Sequence, residues 1–218
     1  MTFTAPCIPR NRPQRQRRIA SVVVELPDGA TARARILETL AAATDDEHLD
    51  GAAWYPAARD IAELVAQIGG WTVEAGAGII AAFSPQCSWD ENVARALAFA
   101  RGDDASGLAD GLGKAARIAA GAHPLEVLGG RKVRSFYWNI VGCSAHVTVD
   151  RHAVAIVYGR PLSDREIKIL ERCGAYAAIA AFYRATARSV GLEPSTLQAV
   201  TWLAWRRLKN VDYVPEVF

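Results

Sequence analysis

The sequence lacks the features that mark several classes of protein. Its four cysteines lie far apart and form no C-x-x-C pair, which disfavours a disulfide scaffold and a zinc ribbon. No window approaches the roughly 18 consecutive apolar residues that a membrane span needs, and residues 1–18 hold no apolar segment of the secretory-signal type. With 51% apolar and 22% charged residues, the chain is too apolar to be disordered. These absences predict a soluble, cytoplasmic globular protein with no membrane partner.

Acidic residues are missing from the first part of the chain, where none precedes Glu25. Five arginines fall between residues 10 and 18 instead, interspersed with prolines and glutamines that make a poor helix. We therefore predict a flexible basic arm over residues 1–18. Such arms often contact nucleic-acid phosphates, and the alternative is a solvated tail that aids solubility.

Helical periodicity dominates the sequence from Tyr55 onward, without the strand and helix alternation that builds a parallel sheet. Helices are predicted over residues 57–68, 73–83, 89–100, 113–120, 131–141, 150–158, 163–191 and 195–208, with a break near Gly174. Upstream, residues 30–43 are predicted to be helical, and the acidic residues 45–50 are predicted to form a loop and an N-cap region. Residues 19–26 can form a short strand. The predicted fold class is mainly α.

The segment that carries the most chemical information runs from Leu125 to His152. It holds the pair Gly129-Gly130, a basic cluster, an apolar helix, and Asp150 at the start of the next helix. A glycine pair before a helix lets the backbone approach a ligand closely, and the helix dipole with nearby cations attracts a phosphate. An acidic residue at a helix start is also a good N-cap, so Asp150 has a purely structural alternative.

This segment resembles the helix-hairpin-helix and active-site loop of the DNA glycosylase superfamily that includes endonuclease III and the adenine glycosylases. Gly130-Arg131-Lys132 is similar to the family's G-R-K, and Val149-Asp150-Arg151-His152 is similar to its V-D-T-H. Asp150 follows Lys132 by 18 residues, the separation found in endonuclease III.

Two further motifs precede the hairpin in the order that the family has them. Phe83-Ser84-Pro85-Gln86 resembles the family's L-S-x-Q, and Leu112-Gly113-Lys114-Ala115 with Ile118 resembles its K-A-x-x-I helix. The resemblance covers residues 55–160, about half of the chain. Four motifs in order are more specific than any one of them.

The sequence departs from the family's pattern at several points. Leu128 stands where the family hairpin has its first glycine, and Arg151 stands where threonine is usual. The four-cysteine iron–sulfur loop that often follows is absent, so neither a cofactor nor a metal is expected. The stretch from Ala175 to Leu208 matches no glycosylase. It is similar to small phage-encoded proteins, some of them related to enzymes that elaborate modified thymines in phage DNA.

The resemblance implies two helical subdomains with the active site in the cleft between them. Residues 19–54 are expected to pack with the C-terminal subdomain. Residues 55–146 are assigned to the subdomain that carries the helix-hairpin-helix, and residues 147–218 to the C-terminal subdomain, which opens with the catalytic aspartate. A monomer acting on double-stranded DNA is expected.

The resemblance also implies roles for individual residues. Asp150 would stabilise the positive charge that builds on the sugar when the N-glycosidic bond breaks. Lys132 is a candidate amine nucleophile if its pKa is lowered, and a phosphate contact is its alternative. Gln86 would fill the hole left by a flipped base or cap a loop. The expected DNA-binding set also includes Gly129, Gly130, Arg131, Arg134 and Arg151.

Other conspicuous residues have structural explanations. Trp202 and Trp205, three residues apart on the last predicted helix, are expected to pack in the core. His152 is expected to be structural. Asp90 and Asn92 follow Gln86 closely, so they lie near the site or cap the next helix.

Three functions are compatible with these observations. The first is a DNA glycosylase-like, base-flipping enzyme that removes a modified or damaged base. The second is a transferase of the same fold that modifies a hypermodified pyrimidine in phage DNA, favoured by Arg151 and by the unmatched stretch. The third is a non-catalytic DNA-binding module, against which the presence of both Lys132 and Asp150 argues.

Overall fold

The computed structural model of the protein describes residues 24–105 and 107–210. Within these ranges the chain forms eleven α-helices and one short 3₁₀ helix, and no described residue lies in a strand. The predicted mainly α fold is confirmed. The predicted basic arm and residues 19–23 of the predicted strand lie outside the described residues, while residues 24–28 are neither strand nor helix.

The helices follow one another through short connections. In chain order they are α1 (Gly29–Ala41), α2 (Asp45–Gly69), α3 (Val73–Phe83), α4 (Trp89–Arg101), α5 (Ala109–Ala119), α6 (Pro124–Val127), α7 (Arg131–Ile140), α8 (Arg151–Tyr158), α9 (Asp164–Ile167), the 3₁₀ helix Lys168–Glu171, α10 (Ala175–Val190) and α11 (Pro194–Leu208). The predicted break is found at Gly174, which precedes α10 with a φ of 83°. Among the described residues, no single helix has both the length and the apolar character that crossing a membrane requires; only α2 and α3 together do, as a pair bent by 108°.

The acidic residues 45–50 are helical, so the loop predicted there is wrong, whereas the N-cap region predicted there is present. Thr44 caps α2, because its hydroxyl accepts a hydrogen bond from the N–H of Glu47 while the Glu47 carboxylate accepts one from the N–H of Thr44. Acidic side chains in a first turn also stabilise the positive end of the helix dipole. The helix continues through Pro56 for 25 residues. It therefore crosses the expected boundary between residues 54 and 55.

Buried apolar side chains form two clusters. Cluster A joins α1, α8, α10 and α11 and includes Ile36, Val154, Ile179 and Leu197. Cluster B joins the second half of α2 with α3 to α7 and includes Val65, Ile80, Ile118 and Ile140. These eight side chains are completely or almost completely buried.

Helix α2 connects the two clusters. Its first half lies against α11 at Gly51, where an added Cβ would come within 2.5 Å of the Val200 side chain and 2.7 Å of the Val200 backbone nitrogen. Its second half belongs to cluster B through Ala62 and Val65. The absence of a side chain at residue 51 permits this close approach, and one continuous helix then lies alongside both clusters.

Candidate functional site

A cavity of about 380 Å³ lies where clusters A and B meet. One wall is built by α2, α4, α7 and the loop between α3 and α4, and the other by residues 148–152 and α11. Its lining includes both Asp150 and Lys132. The volume is within the range of small-molecule sites, so the two residues singled out by the motifs share a space that can hold a ligand.

The chain holds Asp150 rigidly at the end of a buried extended segment. The hydroxyl of Tyr176 accepts a hydrogen bond from the Val149 N–H at 3.1 Å and donates one to the Val147 carbonyl at 3.0 Å. Asp150 is only 4% exposed, and its Oδ1 accepts from the Ala153 N–H at 2.7 Å, which caps α8. Asp150 is therefore both a helix cap and a residue of the cavity wall.

Lys132 lies in the first turn of α7, on the wall contributed by cluster B. The residue retains some exposed surface, but protein atoms surround its ammonium group. This burial lowers the pKa of Lys132 to about 8, against the attraction of Asp150, which acts in the opposite direction. Only a neutral amine attacks as a nucleophile, so the shift has the direction that a nucleophilic role requires.

Aromatic rings form much of the cavity lining. The ring centroid of Trp54 lies 5.8 Å from that of Trp89 and 5.2 Å from that of Trp202. Phe136 packs against Trp89 edge to face, with 6.3 Å between the ring centroids. These rings come from α2, α4, α7 and α11, and together they offer faces and edges against which a flat aromatic ligand can stack.

The expectation that both tryptophans of the last helix pack in the core is wrong for one of them. Trp205 belongs to cluster A, but Trp202 lines the cavity, with the Arg206 guanidinium 4.4 Å from its ring centroid. His152 also lines the cavity and packs edge to face on Trp202. Burial lowers the pKa of His152, which favours the neutral imidazole.

A buried polar network ties the two walls together behind the rings. The hydroxyl of Tyr55 on α2 donates to Oε1 of Gln198 on α11 at 2.8 Å. Asn139 on α7 lies 3.0 Å from the Thr148 hydroxyl and 3.2 Å from the Tyr55 hydroxyl, with its amide nitrogen directed at two backbone carbonyls. Burial raises the pKa of Tyr55, so the phenol stays protonated and keeps its role as a donor.

The first turn of α4 brings two more polar residues to the cavity. The N-cap of this helix is Ser88, whose hydroxyl accepts from the Glu91 N–H, so neither Asp90 nor Asn92 is the cap. Both line the cavity instead. Asn92 is 3% exposed, and its Oδ1 has no hydrogen-bond partner among the described residues. Motif reasoning placed these residues near Gln86, but it gave no sign of the unpaired amide oxygen.

The predicted phosphate-binding turn joins α6 to α7. Gly130 is the N-cap of α7, with a φ of 70° that favours glycine, and Arg131 and Arg134 are exposed. Gly129 lies beside the side chain of Lys114. Leu128, which replaces the family glycine, has an ordinary φ of −70° and is buried in cluster B. This turn therefore needs no glycine at residue 128.

The two remaining predicted DNA contacts lie at the edges of the site. Arg151 donates to the Asp164 carboxylate at 2.7 Å, so it already forms an ion pair with α9. Gln86 lies in the loop between α3 and α4, between cavity-lining Ser84 and Cys87, with a left-handed φ of 58°. Few non-glycine residues adopt that conformation, and those that do are enriched at functional sites.

The polar groups at the cavity are an amine, amides, hydroxyls, carboxylates, the Cys87 thiol, the His152 imidazole and the Arg206 guanidinium, and they lie beside aromatic rings. Among the described residues, no group of three or more histidine, cysteine, aspartate or glutamate side chains could hold a metal ion. The composition of the lining suits a flat organic ligand that carries polar edges.

Comparison with known proteins gives one result. No curated protein and no solved structure matches the chain. The model of one protein family matches residues 25–209, which is most of the 218 residues and includes every residue named in the cavity. The chain belongs to the family of unknown function DUF7178.

Proposed function

We propose that the protein is a DNA glycosylase-like enzyme that takes a modified or damaged base out of the duplex and breaks its bond to the sugar. The observation that carries this proposal is the meeting of Asp150 and Lys132 in one aromatic-lined cavity, where burial lowers the pKa of the lysine to about 8. Perturbed pKa values in a cleft are characteristic of catalytic groups.

The aromatic rings of Trp54, Trp89 and Trp202 hold the extruded base. Stacking on aromatic side chains replaces the stacking that the base loses when it leaves the duplex. The rings belong to helices anchored in both clusters, so the pocket is preorganised and the base enters a fixed geometry.

Asp150 acts on the sugar. As the bond between C1′ and the base weakens, positive charge develops on the sugar ring, and an adjacent carboxylate stabilises it. The cap to Ala153 and the Tyr176 hydrogen bonds keep this carboxylate in place.

Lys132 supplies the nucleophile in the form of its neutral amine. A bond forms between Nζ and C1′ while the bond between C1′ and the base breaks. The electron pair of the broken bond leaves with the base, which takes up the proton that Nζ gives up. The bond between C1′ and the ring oxygen then opens, that oxygen takes up a proton, and an imine between Nζ and C1′ remains, which borohydride reduces. Without this attack, a water molecule activated beside Asp150 completes the hydrolysis and no covalent adduct forms.

The exposed arginines and the loop at the cavity edge engage the duplex. Arg131 and Arg134 flank the N-terminal turn of α7, where positive charge and backbone N–H groups attract phosphates. Gln86, at the cavity edge, fills the space that the flipped base vacates and can hydrogen-bond the orphaned partner base.

Mass spectrometry of DNA duplexes that each carry one modified or damaged base tests the proposal. We expect one of the duplexes to lose its base, and borohydride to trap a covalent protein–DNA adduct that Lys132→Gln abolishes. Lys114→Gln is the matched control, because this lysine lies near the hairpin but does not line the cavity. Intact duplexes throughout, with binding only, would contradict the proposal and favour a non-catalytic DNA-binding module.

A transferase that modifies a hypermodified pyrimidine in phage DNA is the second candidate. The stretch that matches no glycosylase contributes Gln198, Trp202 and Arg206 to the cavity wall, so this part of the site differs from the family pattern. Arg151 follows Asp150 in the sequence, where the glycosylase pattern has threonine, and its guanidinium pairs with Asp164. In the same assay, a transferase given its donor would increase the mass of the duplex instead of releasing a base.

A further inference from the structure

Asn92 carries a buried polar atom that forms no hydrogen bond with any described residue. The residue is 3% exposed and lines the cavity, and its Oδ1 has no hydrogen-bond partner among the described residues. Buried acceptors are nearly always paired, because an unpaired one has lost its hydrogen bonds to water without replacement. A ligand N–H group in the cavity would supply the missing partner.

Gln198 presents its amide nitrogen, a hydrogen-bond donor, to the same cavity. It is 5% exposed, and its Oε1 already accepts from the Tyr55 hydroxyl at 2.8 Å. That hydrogen bond fixes the orientation of the amide and leaves its nitrogen as the group for a ligand. Gln198 thus offers a donor, whereas Asn92 offers its unpaired acceptor and its own amide nitrogen.

The carboxylates of the cavity are placed for other tasks. Asp150 uses Oδ1 to cap α8, and Asp90 is exposed at the edge. The two buried amides therefore present one acceptor and two donor nitrogens, beside rings that can stack on a base.

We infer that Asn92 and Gln198 read the hydrogen-bonding edge of the base in the cavity, and that this edge carries one N–H group and two acceptors. This inference rests on the proposed function, because it requires a base to enter the cavity. Pyrimidines have such an edge: uracil and thymine types place a ring N–H between two carbonyls, and cytosine types place an amino group beside a ring nitrogen and a carbonyl. Guanine has two donor groups and one acceptor, which the amide pair cannot satisfy.

Titration of small bases into the full-length protein tests the inference, with quenching of tryptophan fluorescence as the readout. Each probe is paired with a methylated partner that lacks the N–H: 1-methyluracil with 1,3-dimethyluracil, and 1-methylcytosine with N4,N4-dimethyl-1-methylcytosine. A fifth compound, 9-methylguanine, tests the exclusion of guanine. We expect at least one pyrimidine to bind about 10-fold or more tightly than its N-methylated partner and than 9-methylguanine, because a site built around a hydrogen bond rejects ligands that lack it. The pair that shows the difference identifies the base as 4-oxo or 4-amino.

Variants assign the discrimination to the amide. Asn92→Leu should bring the affinities for the base and for its N-methylated partner to within about twofold of each other. Asp60→Asn, at an exposed residue of α2 that does not line the cavity, is the control and should retain the preference. Asn92→Asp keeps an acceptor at nearly the same size, so it should also prefer the N–H ligand, and it serves if the leucine variant does not fold.

The outcomes separate this inference from the proposed function. Equal binding of both members of each pair by the wild type, no binding of any base, or a preference that survives Asn92→Leu would each overturn the inference. Base loss that depends on Asp150, without any binding preference set by Asn92, would support the proposed function and contradict the inference about Asn92. Discrimination that depends on Asn92, with no change in any duplex, supports base recognition and contradicts the glycosylase chemistry.

Discussion

Replacing Asp150 with asparagine and with alanine separates its observed role as a helix cap from its proposed role in the chemistry. The first role is the cap, a hydrogen bond of 2.7 Å from the Ala153 N–H to Oδ1. Asparagine retains an oxygen acceptor at this position and is an equally good N-cap, whereas alanine has none. The second role, stabilisation of a positive charge on the sugar, requires the full negative charge, which both substitutions remove.

The expected magnitudes follow from these differences. Asp150→Ala should lower the free energy of unfolding by about 1–2 kcal/mol, the usual cost of a lost N-cap, which corresponds to a fall in Tm of about 2–8 °C for a chain of this size. Asp150→Asn should remain within about 1 kcal/mol of the wild type. Both variants should lose at least about 10²-fold in the rate of base release, while duplex binding stays within a few-fold.

Three measurements on the same preparations check this reasoning: thermal unfolding, duplex binding by fluorescence anisotropy, and single-turnover base release. A fully active Asp150→Asn would refute the assignment of the aspartate to the chemistry. An Asp150→Asn variant that does not fold would also refute the separation of the two roles, because the charge of Asp150 would then be needed for folding. Because Asp150 raises the pKa of Lys132, the asparagine variant should also lower that pKa below about 8.

Two further predictions concern Lys132 and Gln86. The yield of the borohydride-trapped adduct should increase about tenfold per pH unit below pH 8 and level off above it, since the pKa of Lys132 is about 8. A yield that continues to rise up to pH 10 would contradict a buried nucleophile. Lys132→Arg, whose side chain stays charged, should give no adduct. The folded-state pKa of this lysine lies below 10.5, so the folded protein binds fewer protons than the unfolded chain between about pH 8 and 10.5. Across that window the wild type should gain stability relative to Lys132→Met, as urea denaturation at several pH values can show. Gln86→Ala should slow reaction on a fully paired duplex by about 10-fold or more and have much less effect on a mismatched one, where little unstacking remains to be offset. Gln86→Gly, which accepts the φ of 58° without strain, should behave in the same way, and equal losses on both substrates would place Gln86 in the base pocket.

Local patterns predicted much of the fold. The apolar run of α3 and the glycine at residue 174 led to element limits close to those observed, because both signals act within a few residues. The start of α2 was predicted only in part: an N-cap region was expected at the acidic residues, but the helix was expected only from residue 57. The missed signal is also local, because Thr44 and Glu47 have the spacing of a capping box. The acidic residues between them suggested a loop, but at a helix N-terminus negative charge stabilises the helix.

The candidate site was only partly accessible from the sequence. The motif spacing brought Lys132 and Asp150 together as candidates, and both line one cavity. Nothing near Trp54 in the sequence marks it, because its ring partners Trp89 and Trp202 belong to helices far along the chain. The same holds for Asn92, whose unpaired oxygen is a property of the assembled core. Local sequence patterns do not predict such residues, because their contacts depend on which helices pack together in the folded chain.

The contact of Gly51 with Val200 sets the distance between α2 and α11, because residue 51 has no side chain. A Cβ at residue 51 would meet the Val200 backbone at 2.7 Å, a clash that no change of rotamer relieves, so any larger residue must push α2 and α11 apart. Trp54 and Tyr55 lie about one turn further along α2 and face Trp202 and Gln198 of α11. The spacing of Trp54 and Trp202, two rings that line the cavity, is therefore set by residue 51, which does not line it.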